Sequence, residues 1–390
     1  MKGSGVRVRT AERWLGSRKR GPGKLPRGVV ILAVVVALMG SSLFVAVLTV
    51  LPVFRFPRPS GPHAIGTVTY HWIDTTRPEI FTEGSDDPRE LMAQVWYPAE
   101  DQGSSPRAPY VSDAEAVTSG LSRVFGMPRP LFRAFGSVTT NAVSGAPVAS
   151  AEQKYPVLIF LEGLGGYRQM NTFQVEELVS HGYVVAALDQ PYTAAAVRFP
   201  DGRVARMSPL EEMKPLVRQS YRPAKEAPTL HGAPMKDGIV PYLAEDVTFA
   251  LDQLESVNEH DQLGRLTGRL DLGRTGVLGV SLGGIVAGEA CLQEPRVGAC
   301  LIMDAPMSTQ VVRRGLDRPS MWLTRPAEDM RLEREQAGGW PEEEIEAHQD
   351  TVRAVFEKLP GQGYFVNVHG MFHLNPTDLP LWSPALSWLT

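Results

Sequence analysis

The pattern of apolar and polar positions changes once along the chain. Apolar and polar residues alternate in GTVTYHWID and ELMAQVWYPA, which predicts two antiparallel strands joined by a polar turn. From residue 155 onward, short and mainly apolar runs alternate with segments of helical spacing. These runs are YPVLIFL, YVVAAL, RTGVLG, GACLIM, SMWLTR and YFVNV. Such strands, alternating with helices, predict an α/β fold with a mostly parallel central sheet covered on both faces.

The segments between these runs predict helices and loops. FQVEELVSHG predicts a helix that ends at Gly182, and Val240, Leu243, Val247 and Leu251 share one face of another. Two antiparallel strands ahead of a parallel set are typical of the α/β-hydrolase fold. Two longer insertions, 190–238 and 307–350, should lie on the side of the sheet where a substrate binds. Residues 101–150 are rich in Pro, Gly and Ser and contain one short apolar piece, LSRVFGMPRPLFRAFG. We favour a plain packed loop for this piece over a segment that lies on a membrane surface or covers a pocket.

The N-terminal part of the chain has a different pattern. Residues 1–28 contain nine Lys/Arg and one acidic residue, a net charge of +8, and residues 29–54 contain no charged residue. This pattern predicts a cytoplasmic tail (1–28), a transmembrane anchor (29–54) and a Pro-rich stalk (55–64), with the body (65–390) outside the cytoplasm in the cell membrane. A cleaved signal peptide is the alternative, but its apolar region is usually about 7–15 residues long.

Charge and cysteine content restrict the function of the body. The whole chain has a formal charge of -4, so the part after the basic tail carries -4 - 8 = -12, which argues against a nucleic-acid partner. Cys291 and Cys300 lack metal-ligand spacing, and they could form a disulfide outside the cytoplasm or remain buried thiols. We therefore assign them no catalytic role, and we expect no metal and no cofactor.

Ser281 is the candidate nucleophile. It is the central residue of GVSLG, a G-x-S-x-G pattern, which alone is a weak signal. Here an apolar strand runs directly into the serine, and LGGIVAGEACL follows it as a helix with small residues. A strand, a sharp turn and a helix are the context in which such a serine becomes an exposed nucleophile, rather than a structural turn residue.

A serine nucleophile needs a base, which in this fold follows it in the chain. Three histidines lie downstream: His348, His369 and His373. His348 lies in an acidic helical segment and is expected on a solvated face. His369 is still at the end of the last strand, whereas His373 lies in the loop beyond Gly370, so we favour His373.

The acid and the oxyanion donors come from loops that follow strands. Asp304 ends one strand, and Glu328 or Asp329 follows the next, and chain order alone does not separate these candidates. The loop after YPVLIFL reads EGLGG, where glycines let backbone N–H groups turn toward the site. The predicted donors are the amides of Leu164 and Leu282.

Several of these segments together resemble a known family. From about residue 66 onward, the body resembles the bacterial relatives of the plasma-type (isoform II) platelet-activating-factor acetylhydrolases. The matching pieces are QVWYPA, YPVLIFLEGLGG, HGYVVAALDQPYTA, RLDLGRTGVLGVSLGG, LIMDAPM and VHGMFHLNPTD. The resemblance implies a Ser/Asp/His esterase without a metal cofactor, which acts on short or oxidised acyl chains of phospholipids.

The resemblance also implies the site residues. It favours Asp304 as the acid over Asp329, His373 as the base, and Leu164 and Leu282 as the oxyanion residues. Two positions differ from the family pattern, in which a histidine usually stands where this chain has Glu162 and Val280. If the Glu162 carboxylate pointed into the site, it would repel developing negative charge, whereas pairing with Arg168 or exposure to solvent would make it harmless.

The sequence therefore predicts a membrane-anchored serine carboxylic-ester hydrolase. Its expected substrates are phospholipid or other lipid esters with short acyl chains, met at the bilayer. A polyester (cutinase-like) or dienelactone-type hydrolase is an alternative, because a fold does not fix the substrate. A catalytically silent homologue that acts as a binding protein is another, and Glu162 and Val280 are the features that favour it.

Overall fold

The computed structural model describes residues 54–84 and 86–382. The strands are β1 (Ala64–Pro78), β2 (Pro88–Ala99), β3 (Val143–Ser144), β4 (Tyr155–Leu161), β5 (Val184–Asp189), β6 (Ala196–Arg198), β7 (Val204–Arg206), β8 (Thr229–Leu230), β9 (Ala233–Pro234), β10 (Leu270–Val280), β11 (Val297–Met303), β12 (Ser320–Thr324) and β13 (Gly363–Asn367). The helices are α1 (Ala114–Val124), a 3-10 helix (Arg129–Ser137), α2 (Thr172–Ser180), α3 (Leu210–Tyr221), α4 (Val240–Glu259), α5 (Leu282–Gln293), α6 (Thr309–Arg314), α7 (Ala327–Ala337), α8 (Glu342–Phe356) and α9 (Leu379–Trp382).

The central sheet has nine strands in the order β13-β12-β11-β10-β4-β5-β2-β1-β3. The β1–β2 and β2–β5 pairs are antiparallel, whereas the pairs β5–β4, β4–β10, β10–β11, β11–β12 and β12–β13 are parallel. The predicted α/β fold with a mostly parallel sheet is confirmed, including the antiparallel pair at its start. Fully apolar sequences form these strands because both faces of β4 and β5 are buried.

Helix α5 packs in the middle of the main hydrophobic core. Ten of its residues are buried, and four of its first seven are Gly or Ala, so its backbone lies close to β10 and β11. Helix α4 covers α5 with the predicted apolar face, including Leu243, Val247 and Leu251. The core therefore packs on both sides of β10, of the turn at Ser281 and of α5.

Three predictions concern the part of the chain before β4. Residues 101–150 contain α1, the 3-10 helix and β3, so the prediction of a plain loop is wrong there. The predicted Pro-rich stalk has no regular structure before β1, and Phe56 packs against Tyr110. The predicted tail and anchor lie outside the described residues, except for Phe54. Within residues 54–84 and 86–382, no helix combines the length and the apolar character needed to cross a membrane.

Cys291 and Cys300 form a disulfide. It joins the last turn of α5 to β11, and both residues are buried in the main core. The sequence left open whether these cysteines pair, because the pairing depends on how α5 packs against β11.

Candidate active site

Ser281 lies on a sharp turn between β10 and α5. Its backbone φ is 56°, a conformation that non-glycine residues rarely adopt, and its N–H donates to Met303 O (2.9 Å). The flanking glycines make this turn possible because neighbouring backbone atoms approach them too closely to leave room for a side chain. A Cβ at Gly283 would lie 2.2 Å from Leu161 O, and one at Gly279 would lie 2.1 Å from Gly283 O. Both glycines of the G-x-S-x-G pattern are thus required by backbone contacts.

His373 and Asp304 complete a hydrogen-bonded chain with this serine. The Nδ1 of His373 lies 2.7 Å from Asp304 Oδ2, and its Nε2 lies 3.0 Å from Ser281 Oγ. Because a carboxylate only accepts, Nδ1 carries the proton and Nε2 accepts from the serine hydroxyl. The structure thus brings together the three predicted residues from two strand ends and a distant loop.

Asp304 is fully buried and ionised. Burial alone would raise the pKa of this carboxyl, but the hydrogen bond from His373 and the charges of His373, His348 and Arg325 lower its pKa to about 2. Arg325 approaches the carboxylate with its Nε, 3.1 Å from Oδ1 and 2.9 Å from Oδ2. Like Ser281, Asp304 has a positive φ, 45°, which aims its side chain from the end of β11.

The other candidates for acid and base have different positions. His369 is exposed on the loop after β13. Asp329 lies in the first turn of α7, and its Oδ2 accepts from the N–H of Gly370 (2.8 Å). Glu328 lies beside it in the same helical turn. Asp329 therefore holds the loop that carries His373 without contacting the imidazole.

The expectation that His348 lies on a solvated face is wrong. The side chain is buried, with Nε2 3.0 Å from Thr324 Oγ1 and 3.8 Å from Asp304 Oδ1. Burial lowers the pKa of His348 to about 4, against the opposing effect of the Asp304 carboxylate. At neutral pH, His348 is thus an uncharged neighbour of the acid. The burial of His348 could not be predicted from its own segment, because its sequence neighbours are charged and other parts of the chain cover its side chain.

The predicted oxyanion donors border the same cavity as the serine. Leu282 is the first residue of α5, where amides lack an acceptor within the helix. Among the backbone hydrogen bonds of the described loops and turns, none uses the Leu164 amide as a donor. Leu164, Leu282 and Ser281 all line one cavity of ≈ 390 Å³. Both amides are therefore available to a group bound there.

The walls of this cavity come from the two long insertions, as expected from their place in the sequence. Helix α3 contributes Val217 and Tyr221, and the turn between α7 and α8 contributes Trp340. The Trp340 ring lies 4.8 Å from the His373 ring, centroid to centroid, in an edge contact. Lys214 and Glu344 add one charge of each sign to the lining. The cavity suits a small, mainly apolar group with a polar end.

Glu162 adopts none of the three arrangements considered from the sequence: it does not line the cavity, is not exposed, and does not pair with Arg168. It is buried, its Oε1 accepts from the N–H of Gln190 (3.1 Å), and Arg168 instead pairs with Asp189. Burial, and then the nearby charge of Asp189, raise the pKa of Glu162 well above its ordinary value. Since Asp189 is paired with Arg168, the proton belongs on Glu162. An uncharged carboxyl there would not repel an oxyanion.

Val280, the second departure, faces away from the cavity. It is buried in an apolar cluster with Leu278 and Met303.

Among residues 54–84 and 86–382, there is no group of three or more His, Cys, Asp or Glu side chains that could hold a metal ion.

Comparison with known proteins supports this picture of the fold. The family model of platelet-activating factor acetylhydrolase, isoform II, matches residues 48–232, a stretch that includes the loop after β4 and ends before Ser281. The platelet-activating factor acetylhydrolase of Canis lupus familiaris is 26% identical over 279 residues, which are 65% of this chain and 55% of that protein. The one of Gallus gallus is 25% identical over 294 residues, 69% and 65%. The chain thus spans between about half and two thirds of the length of these relatives.

A solved structure extends the likeness to most of the chain. The ferulic acid esterase from Streptomyces cinnamoneus matches with a TM-score of 0.62 and 28% sequence identity, over 84% of this chain and 80% of that one. With its sheet order and its strand–serine–helix turn, the chain is an α/β-hydrolase that resembles the isoform II platelet-activating factor acetylhydrolases.

Proposed function

We propose that the protein is a serine carboxylic-ester hydrolase. The observation that carries this proposal is the chain of hydrogen bonds from Asp304 through His373 to Ser281, which ends in a cavity bordered by two free amides. Similarity to acetylhydrolases and to an esterase supports an ester as the substrate.

In this proposal, Ser281 Oγ attacks the ester carbonyl while His373 Nε2 takes its proton. The amides of Leu164 and Leu282 bind the resulting oxyanion, and Asp304 keeps the imidazole in the tautomer that accepts at Nε2. His373 then protonates the leaving alcohol and activates a water molecule, which releases the acyl group from the serine.

The proposed substrates are lipid esters with short acyl chains, delivered from a bilayer in which residues 29–54 anchor the chain, with the body outside the cytoplasm. The small cavity and the acetylhydrolase resemblance support a short acyl group. An ester with an aromatic acyl group is a second candidate, favoured by Trp340 and Tyr221 in the cavity wall.

Labelling of the full-length chain with a fluorophosphonate probe tests the proposal. The wild type is expected to be labelled and Ser281→Ala is not. Ser256→Ala is the matched control, since this exposed serine bonds only to a carbonyl of its own helix, and it should label like the wild type. A folded wild type that is not labelled would instead support the silent, binding homologue. An acyl series from acetyl to decanoyl, with a feruloyl ester, then separates the two substrate classes.

A further inference from the structure

Asp304 and His373 belong to a closed ring of contacts with Arg325 and Glu333. Asp304 binds His373 and Arg325, and Arg325 Nη1 pairs with Glu333 Oε2. The other carboxylate oxygen of Glu333, Oε1, accepts from the backbone N–H of His373 (3.2 Å). The Arg325–Glu333 pair thus connects the acid of the triad to the main chain of its base by a second route.

This ring is buried, and it joins elements that are distant in the sequence. The side chains of Arg325, Glu333 and Asp304 are 2%, 14% and 0% exposed. Glu333 lies in α7, one turn beyond Asp329, which binds the N–H of Gly370. Helix α7 therefore holds the histidine loop at two backbone amides. A charged pair that were only on the surface would contribute little to such positioning.

The charges that surround Asp304 are few. Arg325 follows β12, His348 comes from α8, His373 from the loop after β13, and Glu333 lies behind Arg325. Because burial keeps His348 uncharged at neutral pH, Arg325 is the permanent cation in this group. Removing it would leave a buried carboxylate that keeps the hydrogen bond from His373 but has no cation beside it at neutral pH.

We propose that Arg325 and Glu333 are positioning residues for hydrolysis: together they fix the orientation of the imidazole, and Arg325 sets how strongly Asp304 attracts a proton to it. The inference rests on the proposed function, in which His373 is the base. Neither residue needs to touch the substrate, since Arg325 acts through Asp304 and Glu333 through the backbone of His373.

The test is the pH dependence of kcat/KM for a soluble short-chain ester, with the full-length chain. Glu333→Ala is expected to lower kcat about 10- to 100-fold with little change in KM, because the base is displaced. Arg325→Met is expected to lower kcat as well and to move the acid limb of the profile upward by about one pH unit, because a cation near the carboxylate is lost. Arg325→Lys should return the acid limb toward the wild-type position and restore kcat only in part.

Two further variants keep the test decisive. Arg331→Met removes an ion pair of the same helix, in which Arg331 Nε lies 2.8 Å from Glu342 Oε1. Neither residue of this pair contacts the triad, so kcat and the acid limb should stay unchanged. Glu333→Met keeps roughly the length of the side chain and removes the acceptor, for use if Glu333→Ala does not fold. Wild-type kcat and acid limb in folded Arg325→Met and Glu333→Met would overturn the inference, whereas an inactive, unlabelled wild type would overturn the proposed function itself.

Discussion

Glu162 lies in the loop after β4, and its carboxyl is turned into the core toward Gln190 and Asp189. The second oxygen, Oε2, has no hydrogen-bond partner among the described residues. A buried carboxylate without a cation is strongly disfavoured, so the protonated form is the one that the surroundings stabilise. The residue that departs from the family pattern thus behaves as a neutral hydrogen-bonding group.

Glu162→Gln is expected to leave kcat/KM at pH 7 within about threefold of the wild-type value, because a neutral amide replaces a neutral acid of similar size. Glu162→Ala, which removes the acceptor for the Gln190 N–H, is the contrasting variant, and it should be less stable by about 1–3 kcal/mol. A large loss of activity in a stable Glu162→Gln would show that the carboxylate is charged and needed.

The same substitution changes the pH dependence of stability. The folded state binds the Glu162 proton more tightly than the unfolded state, whose pKa is near the ordinary 4.5. The stability that this proton provides is therefore complete below pH 4.5 and is lost as the pH rises toward the folded-state pKa. Relative to the wild type, Glu162→Gln should gain free energy of unfolding above pH 4.5, as measured by urea denaturation between pH 4 and 8. A difference that does not change with pH would contradict the assignment.

At the scale of the elements, the turn between α7 and α8 brings Trp340 to the triad. Its ring contacts the rings of His373 (4.8 Å) and His348 (5.5 Å) and lies beneath the guanidinium of Arg325 (5.5 Å). This turn therefore forms a cavity wall and also packs against the imidazole of His373.

Trp340→Ala should enlarge the cavity and loosen His373. We expect kcat/KM for an acetyl ester to fall about tenfold, while longer or aromatic acyl groups lose less, because the space vacated by the indole admits them. Trp340→Phe keeps an aromatic wall and is the control. An equal loss for every acyl length would mean that Trp340 positions the base without limiting the acyl group.

The parallel strands β4, β5 and β10 to β13 could be predicted from the sequence because each contains a short apolar run, as expected where both faces of a central strand are buried. Strands β1 and β2 could be predicted because their apolar and polar residues alternate. The turn at Ser281 could be predicted because the glycines that it requires, Gly279 and Gly283, lie two residues to either side in the sequence. His348, Arg325 and Glu333 could not, because their burial and pairing are created by chain segments that meet only in the fold. Their sequence neighbours, such as the acidic run before His348, resemble those of solvent-exposed helices.

At the scale of the whole molecule, one covalent link fastens the nucleophile helix to the sheet. The Cα atoms of Cys291 and Cys300 are 6.3 Å apart, within the range that a disulfide spans. The link is at the far end of α5 from Ser281, so it bears on the stability of the core more than on the geometry of the turn.

Replacing both cysteines by alanine is expected to lower the free energy of unfolding by about 2–3 kcal/mol, the value for so short a loop, while kcat changes less than about threefold. Thermal unfolding of the variant and of the wild type, each with and without a reductant, measures this. Equal stability of oxidised wild type and the double variant would contradict a structural role for the link.

The serine and the histidine that bonds to it are 92 residues apart in the chain. Between them the polypeptide must add β11, β12 and β13 to one side of the sheet and place α7 and α8 over its edge. Contacts between such distant segments form late, because closing long loops is entropically costly, and synthesis delivers the N-terminal part first. If the proposed function holds, a chain still emerging from the ribosome carries Ser281 but not His373, so it cannot hydrolyse esters until nearly all of the protein has been made.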